Sequence, residues 1–295
     1  MEKKSGVQNG SRSLPGTGGS QTSGDQFQPN LAMGGGSYKI PFDLPSGPGG
    51  FSPKLELNYN TGYGNGVFGL GWSLAQPFIQ RKRKSPYSKE HVEEFLLAGA
   101  ETLVPFDEQG AYIPVIQQKL QPFRFKDGFW TSVTPDLVAL RFGASANSRV
   151  EGEADGSVKV NTWLLDQITF PGDRMISLSY ETVGAQRYLQ RISWSVFSLE
   201  FEYENRDDAF FDHTAGFELR TDRRCTRISL HQSRLAPNTL MRTYDFSYEA
   251  TAFTKTSLLN AFSVTGWRMI NGVFLPEALP PFRFGYTKWD VSDKK

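Results

Sequence analysis

The chain has 295 residues, 38% hydrophobic and 14% aromatic, enough to bury a sizeable core in one large all-β domain or two small ones. Thirty-two basic residues against 31 acidic leave a net charge of +1, so no global field points to nucleic acid or to an anionic membrane. The single cysteine, Cys225, precludes an internal disulfide. The polar start MEKKSGVQNGSRS lacks the apolar stretch of a classical signal peptide, and no run approaches the ~18 apolar residues of a membrane helix.

Residues 1–30 are rich in Ser, Gly, Gln and Asn and read as a flexible N-terminal arm, with Leu14-Pro15-Gly16 as its one anchor candidate. A single β domain is expected over residues 31–290, followed by a polar tail at 291–295. From Tyr38 the pattern has period two: Tyr38, Ile40, Phe42 and Leu44 alternate with Lys39, Pro41 and Asp43. Pro41 argues for an edge strand or a bulge. The turn cluster PSGPGG follows, and then Leu55, Leu57 and Tyr59 alternate with Lys54, Glu56 and Asn58.

The most unusual stretch is residues 47–74, GPGGFSPKLELNYNTGYGNGVFGLGWSL, in a chain that places 17 of its 29 glycines within the first 80 residues. Glycine in a strand-rich region marks tight turns, bulges or close backbone approach. A disordered tract has no reason to hold so many aromatic residues. We expect a structural motif here, carried by Gly50, Phe51, Pro53, Gly64, Gly66, Phe68, Gly69, Gly71 and Trp72.

Further strands follow to the end. Phe123 and Phe125 lead through Asp127-Gly128 to Phe129-Trp130, a hairpin signal. Asp155-Gly156 precedes Val158 and Val160. Alternation then recurs at Ile176, Leu178 and Tyr180; at Ile192, Trp194 and Val196; and at Leu199, Phe201 and Tyr203. It continues at Phe217 and Leu219, at Ile228 and Leu230, and at Tyr244, Phe246 and Tyr248. Asn271-Gly272 is a second hairpin signal, and Phe282, Phe284 and Tyr286 close the series. Residues 89–97 (KEHVEEFLL) have mild helical character or enter a strand at Phe95, and residues 256–260 offer at most one helical turn. The sum is an all-β fold: one or more large, antiparallel, curved sheets of many short strands with Gly-rich turns, shell-like or sandwich-like.

Chemistry is sparse. His91, His213 and His231 lie far apart in sequence, and no metal or cofactor site is expected. Cys225 sits among arginines, where a thiolate could be reactive, but the alternating pattern beyond it reads it as a core residue. Glu151-Gly152-Glu153 and Glu200-Phe201-Glu202 resemble the paired glutamates of an ADP-ribosyltransferase. The first reads better as a polar turn and the second as the wet face of a strand. Asp155, Asp173, Asp207, Asp208 and Asp212 lack calcium-loop spacing and read as solvated turns. Arg81-Lys82-Arg83-Lys84 reads as a solvated strand end. No nucleotide loop or nucleophile elbow appears, so no enzyme is expected. A carbohydrate-binding β-sandwich would need exposed Trp130, Trp163 or Trp267.

Ordered pieces of the sequence resemble the N-terminal region of the SpvB family, shared with the B component of insecticidal toxin complexes. They are LPGTGG at 14–19, GGGSY at 34–38, GFSP at 50–53, GNGVFGLGW at 64–72, FLLAGAE at 95–101, AGFELR at 215–220 with Arg224-Cys225, and PPFRFGY at 280–286. The resemblance implies strands contributed to a β-shell that encloses a toxic polypeptide. It also implies partners among toxin-complex subunits, a YD-repeat shell component and a pore-forming component, or downstream domains of one chain. Neither nucleic acid nor direct membrane insertion is implied. It further implies export from the cytoplasm without a classical signal peptide. Nothing in these residues resembles the propeller, the YD-repeat shell or the transferase of relatives, so their catalysis does not transfer.

Overall fold

Alternating apolar and polar residues, broken by glycine and Asx-Gly turns, give strands that pair with their sequence neighbours. The structure, a computed structural model, describes residues 28–30, 35–83, 91–116, 121–154, 156–233, 239–270 and 273–287. Among these the regular elements are 23 strands and one 3-10 turn, Ala146–Ser148; none is an α-helix. Every strand pairing given is antiparallel, so the all-β expectation holds. Most of the proposed arm and the whole polar tail lie outside the described residues; Gln28–Asn30 form a strand.

The N-terminal strands make a small sheet in the order β1-β2-β3-β6, from β1 (Gln28–Asn30), β2 (Gly35–Pro41), β3 (Glu56–Asn60) and β6 (Trp72–Leu74). Between β3 and β6 a minimal hairpin pairs β4 (Asn65–Gly66) with β5 (Gly69–Leu70).

A second unit closes on itself. It comprises β7 (Phe78–Arg83), β8 (His91–Leu97), β9 (Glu101–Pro105), β10 (Ala111–Pro114), β11 (Phe123–Lys126), β12 (Phe129–Val133), β13 (Ala139–Phe142) and the long β15 (Ser157–Phe170). Each pairs with the next, and β15 returns to β7 through Thr162↔Gln80, giving an eight-strand ring. Eight strands leave an interior just wide enough for side chains to fill. Ile79, Phe95, Leu103, Phe123, Trp130, Phe142, Trp163 and Leu165 are buried there. The Asp127-Gly128 turn joins β11 to β12 with φ of 54° and 84°, the two positive angles of a type I′ hairpin.

Strand β15 is the junction. Its residues 157–163 face β14 (Arg149–Ala154), and its residues 165–169 face β13. From residues 167–170 it starts a second, open meander with β16 (Arg174–Val183). That meander continues through β17 (Gln186–Trp194), β18 (Phe197–Asp212), β19 (Leu219–Gln232), β20 (Thr239–Ala250) and β21 (Ser257–Ile270). It ends in β22 (Val273–Ala278) and β23 (Phe282–Arg283), both paired to β21.

Several local expectations are corrected. Residues 91–97 are strand β8, and residues 257–260 open strand β21; the helical character of both yields to cross-strand pairing. Glu151 and Glu153 lie on β14, whose register opposite β15 continues past them, so they are not in a turn. Strand β17 stops at Trp194, because Ser195 turns with φ of 50° and puts Val196 in the connection. The Asp155 and Asn271-Gly272 turn residues lie outside the described residues, although Ile270↔Val273 pairing brackets the latter.

Candidate functional site

The N-terminal block lies across the open meander and touches every strand from β16 to β21. Arg174 on β16 donates to the Gly49 carbonyl at 2.7 Å, and Trp194 on β17 donates from its indole to Pro45 O at 3.0 Å. The backbone N–H of Cys225 on β19 donates to Val67 O at 2.7 Å. On β20, Tyr244 stacks edge-on against Phe42 at 4.8 Å and Phe246 against Phe68 at 5.2 Å. Phe262 on β21 meets Phe42 at 5.9 Å. The apolar alternation of β2 and β3 thus buries Ile40 and Leu57 against the buried face of the meander, including Ile228, Leu230 and Leu259.

A bulge in β18 supplies the polar anchor. Asn205 pairs with Arg223 and Phe210 with Thr221, so residues 206–209 oppose Asp222 alone. Extra residues on one strand re-aim side chains. Here Arg206 and Asp208 turn inward, with side chains 0% and 6% exposed. Arg206 donates to Gly66 O and Asn65 Oδ1, each at 2.7 Å, and also to Asp208 at 2.7 Å. Asp208 accepts from the Ser257 amide at 2.7 Å, the Ser257 hydroxyl at 2.8 Å and Asn65 Nδ2 at 2.9 Å. Burial pushes the Asp208 carboxyl up, but Arg206, Ser257 and Asn65 outweigh it and hold it well below the usual carboxylate range. The sequence reading of Asp208 as a solvated turn is corrected. The signal available was the polar run Asn205-Arg206-Asp207-Asp208 interrupting an apolar alternation.

The residues of the expected motif occupy distinct places. Gly50 turns with φ of 77°, and its amide donates to Gly47 O. Phe51 is buried and packs against Phe170 at 5.6 Å, and Pro53 is buried beside it in sequence. Gly64 is exposed, and a Cβ added there would meet open space. Gly66 offers its carbonyl to Arg206, and Phe68 is buried. Gly69 (φ 86°) and Gly71 (φ 79°) are the constrained pair. A Cβ on Gly69 would stand 2.7 Å from the backbone oxygen of Ser257, and one on Gly71 would stand 2.6 Å from the Tyr59 ring. Trp72 donates to Tyr286 Oη at 2.8 Å, which in turn donates to Leu259 O at 2.9 Å. Burial pushes the Tyr286 phenol up to about 12, against the lowering effect of the Trp72 hydrogen bond.

The other candidate groups are buried or engaged in contacts within the sheet. Cys225 is fully buried, which pushes its thiol up, so it stays protonated and unreactive. Glu200 faces Arg191 at 3.5 Å, Glu204 pairs with Arg224 at 2.7 Å, and Glu202 accepts from Ser229 at 3.4 Å. Trp130 and Trp163 are inside the ring, and Trp267 is half-buried with its indole on Thr243. Arg81 lies over the Phe95 ring at 5.4 Å, and Lys82 pairs with Glu94; Lys84 lies outside the described residues. Among the described residues no group of three His, Cys, Asp or Glu side chains could hold a metal, and no helix is long and apolar enough to cross a membrane.

The meander ends in an incompletely paired edge. Among the described residues, β21 pairs with β20 as far as Gly266↔Arg242, whereas it pairs with β22 on to Ile270↔Val273. The resulting two-stranded ribbon exposes Ile270, Val273, Leu275 and Leu279.

This geometry defines a class: an all-β domain with a closed ring, an anchored N-terminal block and, among the described residues, an exposed apolar sheet edge. Residues 30–123 match the family model described as SpvB, Salmonella virulence plasmid 65kDa B protein. The Mono(ADP-ribosyl)transferase SpvB of Salmonella typhimurium (strain 14028s / SGSC 2262) is 41% identical over 71 residues, 23% of this chain and 12% of that protein. Its counterpart in Salmonella choleraesuis (strain SC-B67) is 38% identical over 87 residues, 26% of this chain and 15% of that protein. Those matches span under a sixth of the length of the curated relatives. In fold, the chain is similar to TcdB2-TccC3, with a TM-score of 0.77 and 21% identity over 95% of this chain and 18% of that one. It is also similar to the N-terminal domain of effector protein SpvB from Salmonella typhimurium strain LT2, with a TM-score of 0.66 and 21% identity over 78% of this chain and 99% of that one. The resemblance to the N-terminal region of the SpvB family is therefore shown: by sequence over residues 30–123 and by fold over most of the chain.

Proposed function

We propose that this chain is a non-enzymatic structural module of a secreted toxin or virulence system, contributing strands to a shell that encloses or presents a toxic polypeptide. The observation that carries the reading is the β21–β22 ribbon. A two-stranded ribbon is marginal alone in water, and an exposed apolar edge is a template for pairing. Exposed Val273, Leu275 and Leu279 on that edge give a partner strand an apolar surface to cover. The partner is a further toxin-complex component, a YD-repeat shell or pore-forming subunit, or a downstream domain. The transferase names of curated relatives belong to whole proteins of which the match covers 12–15%, and of the paired glutamates here Glu200 faces Arg191 and Glu202 accepts from Ser229, each across a strand pair. Synthesis in the cytoplasm and export without a classical signal peptide complete the proposal.

The test is co-expression with a YD-repeat shell component, followed by size-exclusion chromatography. We expect a stable complex that is lost in the double variant Val273→Lys/Leu275→Lys, whose own melting temperature stays near that of the wild type. Equal complex formation by that variant, or transfer of label from NAD to actin by the chain alone, would overturn the reading.

A further inference from the structure

Tyr38, Tyr59 and Trp72 stand directly opposite one another across β2, β3 and β6, so their side chains share one face of the small sheet. Farther along, the same face carries Ile40 and Leu57, which the meander covers. At the aromatic row the C-terminal segment takes over. Its period-two residues Phe282, Phe284 and Tyr286 bring three more rings. Phe284 meets Trp72 at 4.7 Å and Tyr38 at 6.3 Å, and Tyr286 meets Tyr59 at 6.4 Å.

Six rings of this kind ordinarily close into a core. These instead wall a cavity of about 520 Å³, within the size range of small-ligand sites. Tyr38, Tyr59, Phe282, Phe284 and Tyr286 are half-buried and keep surface toward solvent, while Trp72 lies buried among them. Hydrogen bonds hold the walls in place without a ligand. The Phe284 amide donates to Asn260 O at 3.0 Å, Trp72 to Tyr286 Oη at 2.8 Å, and Tyr286 to Leu259 O at 2.9 Å. Neighbouring rings are inclined to one another by 48–85°. Parallel plates suit a planar guest, whereas inclined rings suit a rounded one, such as a quaternary ammonium group in an aromatic cage.

The rest of the lining is Thr61, Arg283, Gly285 and Thr287. Thr61 Oγ1 accepts from the Gly36 amide at 3.1 Å. Arg283 is exposed, and among the described residues no carboxylate pairs with it. Burial pushes the Tyr286 phenol up against the Trp72 hydrogen bond, and Tyr59 and Glu249 add to the rise, so a carboxylate lies within electrostatic reach of the tyrosine wall. The cavity thus offers a cation electron-rich rings with a carboxylate nearby, and offers an anion one guanidinium. A guest that uses both carries both charges.

We infer that this cavity binds a phosphocholine group, its trimethylammonium end against Tyr38, Tyr59, Phe284 and Tyr286 and its phosphate on Arg283. That group is common to a lipid headgroup and to a soluble choline phosphate ester. Bound there, it bridges the small N-terminal sheet and the C-terminal segment. The site is separate from the β21–β22 edge, and each stands if the other fails.

The experiment is calorimetric titration of the full chain with phosphocholine, phosphoethanolamine, choline and inorganic phosphate. We expect one phosphocholine site per chain and about tenfold weaker binding, or less, of the other three probes, each of which lacks the methyl groups or a charge. Arg283→Gln, a change at an exposed side chain, should weaken phosphocholine about tenfold and leave choline unchanged, whereas Tyr59→Leu should weaken both. Sedimentation with phosphatidylcholine vesicles but not with phosphatidylglycerol vesicles supports the site with a lipid headgroup as the source. Binding of the free ester without sedimentation supports it with a soluble ester as the source. Undetectable phosphocholine binding, equal binding of phosphoethanolamine, or undiminished binding by Arg283→Gln overturns the inference. Should Tyr59→Leu fail to fold, the probe comparison on the wild-type chain and Arg283→Gln decide.

Discussion

In the ring formed by β7–β13 and β15, every strand finds a neighbour on both sides, and the interior is filled by the chain's own aromatics. Trp130 is central, with Phe95, Tyr112, Phe125 and Trp163 all within 6.1 Å of its ring. Its indole N–H is buried and has no hydrogen-bond acceptor. The meander β16–β23 differs on both counts. Its inner face is covered by a segment more than 100 residues distant in sequence, as the 149-residue separation between Trp194 and Pro45 illustrates. Among the described residues, its last strands pair only with β21. Closure makes the ring self-sufficient, whereas openness makes the meander dependent on its N-terminal block and available to a partner.

The comparison can be broken most severely from the ring. Trp130→Ala should cost about 3–5 kcal/mol, since it leaves a void in a packed interior where Phe95, Tyr112, Phe125 and Trp163 surround the indole; chemical denaturation measures it. A loss below 1 kcal/mol would mean that the ring is not a packed core. The block's anchor comes next. Arg206→Met strands the buried Asp208 carboxylate and should cost on the order of 3 kcal/mol, while Arg206→Met/Asp208→Leu should recover part of that loss.

Smaller effects sharpen the same contrast. Gly69→Val should destabilise by about 1–3 kcal/mol or more, because φ is positive there and the obstacle is backbone oxygen, which cannot swing away. Gly71→Val should cost somewhat less, because its nearest obstacle is the Tyr59 ring and the backbone oxygen it meets, Asn60 O, stands farther off at 3.1 Å, and Gly64→Ala should be near neutral. Alkaline titration probes the seat as a whole. Burial raises the phenols of Tyr180, Tyr203, Tyr248 and Tyr286, the last to about 12. A raised folded value means that the stability present below the ordinary value of about 10 is lost as pH rises from there toward about 12. Tyrosinate absorbance should therefore appear late and together with loss of fold. Independent titration near pH 10 with the fold intact would contradict this burial.

Much was legible locally. Alternation at residues 176–180, 199–203 and 244–248 predicted strands whose apolar faces are the core, and Asp127-Gly128 gave its hairpin outright. The helical leaning of residues 89–97 was misleading because propensity is a weak prior against sheet pairing on both sides. Asp208 was misread for a similar reason: a polar run signals solvent unless a bulge turns it inward, and bulges depend on the partner strand's register.

Sequence by itself determined the all-β class, the period-two faces, the family resemblance and the block at residues 47–74 as a place where glycine matters. Which glycines matter was decided only by tertiary structure, since Gly69 is constrained by Ser257 and Gly64 by nothing. Tertiary structure alone also decided that one long strand, β15, serves both a closed ring and an open sheet. The reason is physical. Alternation and turn chemistry act over a few residues, whereas ring closure, bulge register and the hydrogen bond from Trp72 to Tyr286 depend on segments brought together from distant parts of the chain.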